Sequence, residues 1–239
     1  MNDAFMPPQL LWLLLLWAIF LFGGFILGPT RNNRRIPRWA RLASSLLLVI
    51  AAWTWRAFAS DAWHQTYTTL IALGVTAGFI GDLFMADVLA RGKSKSVAGG
   101  IGGFALGHLF YISAILLTAR TLHLTHAAII GGSLMFFWLF AFWGWRKIVM
   151  RGGAPTPLHW AALPYSLLLA ATAGLALGLS LQQCDFWPLA LGATLFLLSD
   201  LLLASALFGK SAMPLLHDFV WLLYGPGQML IVYSAMLLH

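Results

Sequence analysis

The sequence predicts an all-α, polytopic membrane protein: eight transmembrane helices in a single integral domain over residues 1–239. Three observations predict it. Of the 239 residues, 61% are hydrophobic and 9% charged, with a mean hydropathy of +0.85; so few polar groups cannot cover a water-soluble domain of this length. Apolar runs long enough to cross about 30 Å of hydrocarbon recur along the whole chain. The basic residues also alternate. Arg31, Arg34, Arg35, Arg38, Arg41, Arg91, Lys93, Lys95, Arg146, Lys147, Arg151 and Lys210 fall in or beside the first, third, fifth and seventh loops, whereas Arg56 and Arg120 alone border the others. This positive-inside pattern puts both termini on the non-cytoplasmic side of a multi-pass protein, in the inner membrane if the source is bacterial.

By length and composition the spans fall at roughly 10–28, 41–59, 66–90, 97–119, 125–147, 158–181, 186–208 and 214–238. The first, LLWLLLLWAIFLFGGFILG, has no basic stretch before it and no small-x-small site after it, so it reads as a span and not as a signal peptide. The second opens from the arginine cluster of loop one. The third carries GFIGDLFMAD and the fourth GGIGGFALGH, whose glycines allow close approach to neighbouring helices. The seventh carries GATLFLLSDLLLASALF, and the eighth YGPGQMLIVYSA, where Pro226 frees a carbonyl and predicts a kink. Trp39, Trp63, Trp145, Trp160 and Trp187 fall at span edges, as interfacial indoles do. The longest loop is about a dozen residues, which leaves no soluble domain.

The third and seventh spans resemble one another. Each reads Asp-Leu-x-x-Ala-x-x-Leu, from Asp82 and from Asp200, and each is followed by Gly-Lys-Ser. They run in the same direction, which relates spans one to four and five to eight as parallel repeats about an axis normal to the membrane. The Gly-Lys-Ser is not a nucleotide-binding loop: Asp87 and Ala204 stand where that motif needs its first glycine.

Composition removes several function classes. All seven acids are aspartates, and the net charge of +7 sits in short loops, which points to anionic lipid headgroups and away from nucleic acid. Cys184 is the one cysteine, so no intramolecular disulfide or multi-thiolate metal site can form.

A carboxylate in hydrocarbon costs about 2.5–3.5 kcal/mol on insertion scales, so a buried acid needs a partner or a purpose. Asp82 and Asp200 each lie about 12 Å in from the cytoplasmic end of their spans, and His108 and Tyr224 about 16 Å in. Phe104, His108 and Tyr111 share one helical stripe; His217, Trp221, Tyr224 and Gln228 share another. The expectation is one polar stratum built from spans three, four, seven and eight, serving as a site or as structural glue. Asp87 is expected to be a solvated end residue, His217 and Asp218 to be interfacial, and the arginines of loop one to be chiefly a topology signal.

The segments GFIGDLFMAD, GGFALGHLFYISA, GATLFLLSDLLLASALF and YGPGQMLIVYSA together resemble the YhhN-like membrane proteins, a family that includes the lysoplasmalogenases. The resemblance covers roughly residues 66–235, and carries over Asp82, His108, Tyr111, Ser199, Asp200, Tyr224 and Gln228. It departs from the family at Gly225 and Pro226, where a second tyrosine is usual. It implies an eight-helix enzyme that hydrolyses the vinyl ether of a lysoplasmalogen, a lysophospholipid held in the bilayer, to a fatty aldehyde and a glycerophosphoethanolamine or glycerophosphocholine. Such chemistry needs an acid, an anion beside the developing oxocarbenium ion and a placed water; two carboxyls can divide the first two roles. On this reading Asp82 and Asp200 are catalytic, and His108, Tyr111, Ser199, Tyr224 and Gln228 bind substrate or water, with no metal and no cofactor. Three other readings stay open: a zinc hydrolase using His108, His217, Asp82 and Asp200, a proton-coupled transporter using the same acids, and a scaffold.

Overall fold

In hydrocarbon a helix is the open-ended segment that satisfies its own backbone, and helix is what the chain forms. The computed structural model describes residues 6–30, 33–151, 155–209 and 213–238, without the side chains of Lys93, Leu237 and Leu238. Arg31, Lys210, Ser211 and His239 lie outside the described residues, so the second Gly-Lys-Ser cannot be compared with the first. Eight long helical segments follow in order: α1 Pro8–Leu27, α2 Arg38–Phe58, α3 Ala62–Met85, α4 Lys93–Thr121, α5 Ala127–Val149, α6 Pro157–Ser180, α7 Trp187–Leu207 and α8 Leu216–Tyr233. No strand occurs among the described residues. Seven of the eight are long and apolar enough to cross a membrane. The eighth, α2, is long enough at 21 residues, but Arg38, Arg41 and Arg56 dilute its hydropathy. Arg56 is accommodated by Thr69 and Gln65 of α3, to which it donates at 2.8 and 3.4 Å. The chain is a multi-pass integral membrane protein.

Helix starts follow local chemistry. Prolines occupy the first turns of α1, α6 and α7, where their missing N–H costs nothing. Asp61 caps α3, accepting from the backbone N–H groups of Trp63 and His64 at 2.9 and 3.0 Å; those donors hold its carboxyl below the usual carboxylate range. Outward faces are apolar, with Trp12, Leu27, Phe136 and Leu139 exposed to where lipid lies. Trp39, Trp160 and Trp187 are exposed near helix ends as interfacial indoles should be. Trp145 is not: it is buried, and its indole N–H donates to the His159 carbonyl at 2.9 Å. α8 stays helical through Pro226.

The packing has the form of a two-fold repeat. α1 packs on α2 and α5 on α6; α2 on α3 and α6 on α7; α3 on α4 and α7 on α8; and α2 meets α8 as α4 meets α6. Exchanging helices one to four with five to eight reproduces each of these pairs. The two closest pairs are closed by facing glycines. A Cβ on Gly103 of α4 would stand 2.7 Å from the backbone nitrogen of Gly81 on α3, and one on Gly227 of α8 would stand 2.9 Å from the carbonyl oxygen of Gly192 on α7.

Gly102, one residue away, would place a Cβ in open space. Gly103→Ala should therefore lower thermal stability in detergent by about 1–3 kcal/mol, while Gly102→Ala leaves the melting midpoint unchanged. Fluorescence-detected melting of both variants checks this.

Candidate active site

Loops one and three meet at one end of the bundle, the basic end, and a cavity of about 590 Å³ opens there between α2, α3, α4, α7 and α8. Asp82 and Asp200 both line it, as do Tyr224 and Trp221. Its volume lies in the ordinary range for small-molecule sites. The two aspartates come from α3 and α7, equivalent helices of the two repeats, so the symmetry that duplicates the acid also turns both copies toward one space.

Each acid is held by a hydroxyl from the preceding helix of its own repeat. Ser45 of α2 donates to Asp82 Oδ2, and Tyr165 of α6 donates to Asp200 Oδ2. Neither donor was expected as a site residue; the helical repeat was the signal that could have found them. Asp82 also accepts from the Tyr224 hydroxyl at 2.9 Å. From Tyr224 the chain of contacts runs inward: Gln228 Nε2 donates to the Tyr224 oxygen at 3.3 Å, and the Tyr111 hydroxyl donates to Gln228 Oε1 at 2.7 Å. Asp82 is 4% exposed and Gln228 1%, so a network of this kind is worth having only when its members are satisfied.

Asp82 is nearer the basic end than the sequence suggested. α3 stops at Met85, where Asp87 turns the chain with a φ of 55°, so Asp82 lies in the last helical turn and looks toward the cavity. Asp87 itself is exposed, accepts a hydrogen bond from Ser96, and joins the cavity wall. Asp200 is half-buried and stands seven residues before the end of α7 at Leu207 (207 − 200).

Not every expected residue reaches this cavity. His108 is 1% exposed and bonds Thr172 Oγ1 through Nδ1 at 2.8 Å, with its ring 4.5 Å from Phe196 and 5.7 Å from Tyr111. Its Nε2 is buried with no partner among the described residues. It stands beside the polar chain, outside both that chain and the cavity lining. Ser199 is directed mainly to its own helix, donating to the Phe196 carbonyl at 2.7 Å, with a longer contact of 3.4 Å to Asp200. Among the described residues no three of His, Cys, Asp and Glu form a metal-holding group; the four side chains considered for zinc are spread between the core and the cavity mouth.

The arginines of loop one do more than mark topology. Arg34, Arg38 and Arg41 line the cavity together with Arg91 and His217. The Arg41 guanidinium lies 5.5 Å from the Trp221 ring centroid, and its Nε is buried without a partner among the described residues. No arginine there is within ion-pair distance of either acid: the one ion pair among the described residues joins His64 to Asp61. The cavity therefore has an acidic interior and a basic mouth.

Asp218 holds that mouth in place. It was expected at the interface, yet it is 1% exposed, because its carboxylate accepts the backbone N–H groups of Arg35 and Ile36 at 2.7 and 2.9 Å. Asn33 adds a second tie from the loop, accepting from the Leu215 N–H at 2.9 Å. These bonds fasten loop one to the start of α8 and bring its arginines over the cavity.

Asp218→Ala should thus leave two loop N–H groups without acceptors and cost roughly 1–3 kcal/mol. Melting of the purified variant measures the loss, and protease nicking within residues 29–37 should rise with it.

Comparison with known proteins agrees with the motif pattern. A family model described as the YhhN family matches residues 36–235. The match begins at Ile36, so it takes in α2 with Arg38, Arg41 and Ser45, and leaves α1 outside. No curated protein and no solved structure matches the chain. The matched span, from the arginine-bearing start of α2 through the end of α8, holds both cavity aspartates and the Ser45, Tyr165, Ser199 and Tyr224 side chains that bond them, and the chain belongs to the YhhN family.

Proposed function

We propose that this protein is a lysoplasmalogenase-like hydrolase, cleaving the vinyl ether of a lysoplasmalogen to a fatty aldehyde and a glycerophospho-alcohol. The observation that carries this reading is that Asp82 and Asp200 line one cavity whose mouth is set with arginines. Arginines at the mouth suit the phosphate of such a lipid.

The chemistry follows from the two acids. The pair holds one proton between them. The protonated carboxyl gives it to the outer alkene carbon, C2 of the alkenyl chain, and the C1–O unit becomes an oxocarbenium ion. The other carboxylate lies beside that cation and takes a proton from the water that adds at C1. The resulting hemiacetal collapses: its O–H proton leaves, the C1–O bond to glycerol breaks, and the glycerol oxygen is protonated. One water is consumed, and the carboxyl pair ends with the proton it began with. Tyr224, anchored through Gln228 and Tyr111, and the donors Ser45 and Tyr165 fix where the carboxyl oxygens point. In this reading the basic end faces the cytoplasm.

An aldehyde-release assay on purified protein tests the proposal. Lysoplasmalogen should be cleaved and a matched ester-linked lysolipid left intact. Asp82→Asn and Asp200→Asn should each slow release by roughly 10²–10⁴-fold, the usual worth of a positioned acid or base. Equal cleavage of both lipids would make the protein a general lysophospholipase, and no aldehyde from the wild type would overturn the reading.

A further inference from the structure

A second, narrower cavity of about 80 Å³ lies on the other side of Asp200. It is apolar, walled by Ile101 of α4, Phe140 and Trp145 of α5, Leu169 of α6 and Ala204 of α7. It shares Met85, Val97, Phe104, Asp200, Leu203 and Leu207 with the basic-mouthed cavity, so the two adjoin across these side chains. Of the two aspartates Asp200 alone borders both; Asp82 borders only the polar one.

The place of this cleft in the fold is informative. Six of the seven pairs of consecutive helices pack closely; among the described residues α4 and α5, at the seam between the repeats, do not. The equivalent seam, between α8 and α1, is closed. There Leu21 fills the space over Gly225, where a Cβ would meet its Cδ2 at 2.5 Å, and the Tyr233 hydroxyl donates to the Leu10 carbonyl at 2.7 Å. Two-fold packing thus leaves two seams: one is sealed by α1, and the other holds the apolar slot.

We propose that the cleft between α4 and α5 receives the single hydrocarbon chain of the lipid substrate, directly from the bilayer, and so sets which way round the substrate lies. The inference rests on the proposed hydrolase reading for its consequence, although not for the binding itself. The occupant is fixed by adjacency and charge. A ligand reaching both cavities must be apolar at one end and, facing Arg34, Arg38, Arg41 and Arg91, anionic at the other. A cleft of about 80 Å³ is small enough to suit one chain, as a lysolipid presents. With the chain in the slot and the phosphate at the arginines, the junction of chain and headgroup falls at Asp200. The alkene carbon that must be protonated is on the chain side of the ether oxygen. Asp200 is then the proton donor and Asp82 the partner that handles water.

The test uses the full-length protein in detergent and a non-hydrolysable alkyl-ether lysophospholipid with a diazirine in its chain. After irradiation, adducts should map to cleft residues of α4, α5 and α7. Ala204→Phe should reduce them, and as a second filling variant Ile101→Phe should do the same, each with an unchanged melting midpoint. Adducts in the groove between α1 and α2, or scattered over the lipid-facing surface and indifferent to both variants, would overturn the proposal. Because this probe is not cleaved, its result is separate from the hydrolase reading: cleft adducts in a protein that releases no aldehyde would keep the chain site and sink the enzyme. In the aldehyde assay Ala204→Phe should lower kcat/KM for a long alkenyl chain by roughly tenfold, the scale at which a filled apolar pocket discriminates. It should spare a propenyl analogue with no chain to place, and equal losses on both substrates would contradict the cleft as the chain site.

Discussion

A carboxyl group set among hydrocarbon must be met by donors or reach water, and this fold meets that demand twice with one device. Ser45 serves Asp82 from α2, and Tyr165 serves Asp200 from α6. In each case the donor comes from the helix preceding the acid, at the same step of a repeated packing scheme. Because the repeats are parallel, both acids then arrive at the same end of the bundle and open onto one cavity. The glycine contacts between α3 and α4 and between α7 and α8 draw the pairs close enough for this. The Asp218 ties bring loop one across the top.

The repeats are alike in packing and unlike in surroundings, and the difference has chemical content. Asp82 belongs to a chain of hydroxyl and amide groups running through Tyr224, Gln228 and Tyr111. Asp200 has the Tyr165 hydroxyl, a longer contact from Ser199 and an apolar cleft behind it. Two identical acids in identical settings could not divide the labour of donor and acceptor, whereas two in unlike settings can. The asymmetry of the seams works the same way: α1 fills one, and the other holds the apolar cleft.

Much of this was legible in the sequence, for identifiable reasons. Hydropathy runs and alternating basic loops are set by the bilayer itself, so eight helices could be read within a few residues of their ends. The Asp-Leu-x-x-Ala-x-x-Leu echo located both acids. What could not be read were relations between helices. Ser45 is one of two adjacent serines in an apolar run, and Tyr165 is an unremarked tyrosine; nothing local tells either that it faces an aspartate. Asp218 reads as interfacial because its acceptors' partners, the N–H groups of Arg35 and Ile36, lie 183 and 182 positions away. The loop-one arginines read as topology because charge counting is blind to where a loop folds back. His108 was placed in the right stratum by depth, yet its bond to Thr172 on α6 turns it aside, and depth alone carries no azimuth.

The central claim is that Asp82 and Asp200 act as one catalytic unit across a shared cavity. It is tested most directly by aldehyde release from the Asp82→Asn/Asp200→Asn double variant, set beside both single variants, in protein with wild-type melting. Residues that act as a unit lose their effect together, so the double variant should be about as slow as the slower single one. Losses that multiply would make the two acids independent, and wild-type release by either single variant would remove that acid from the chemistry.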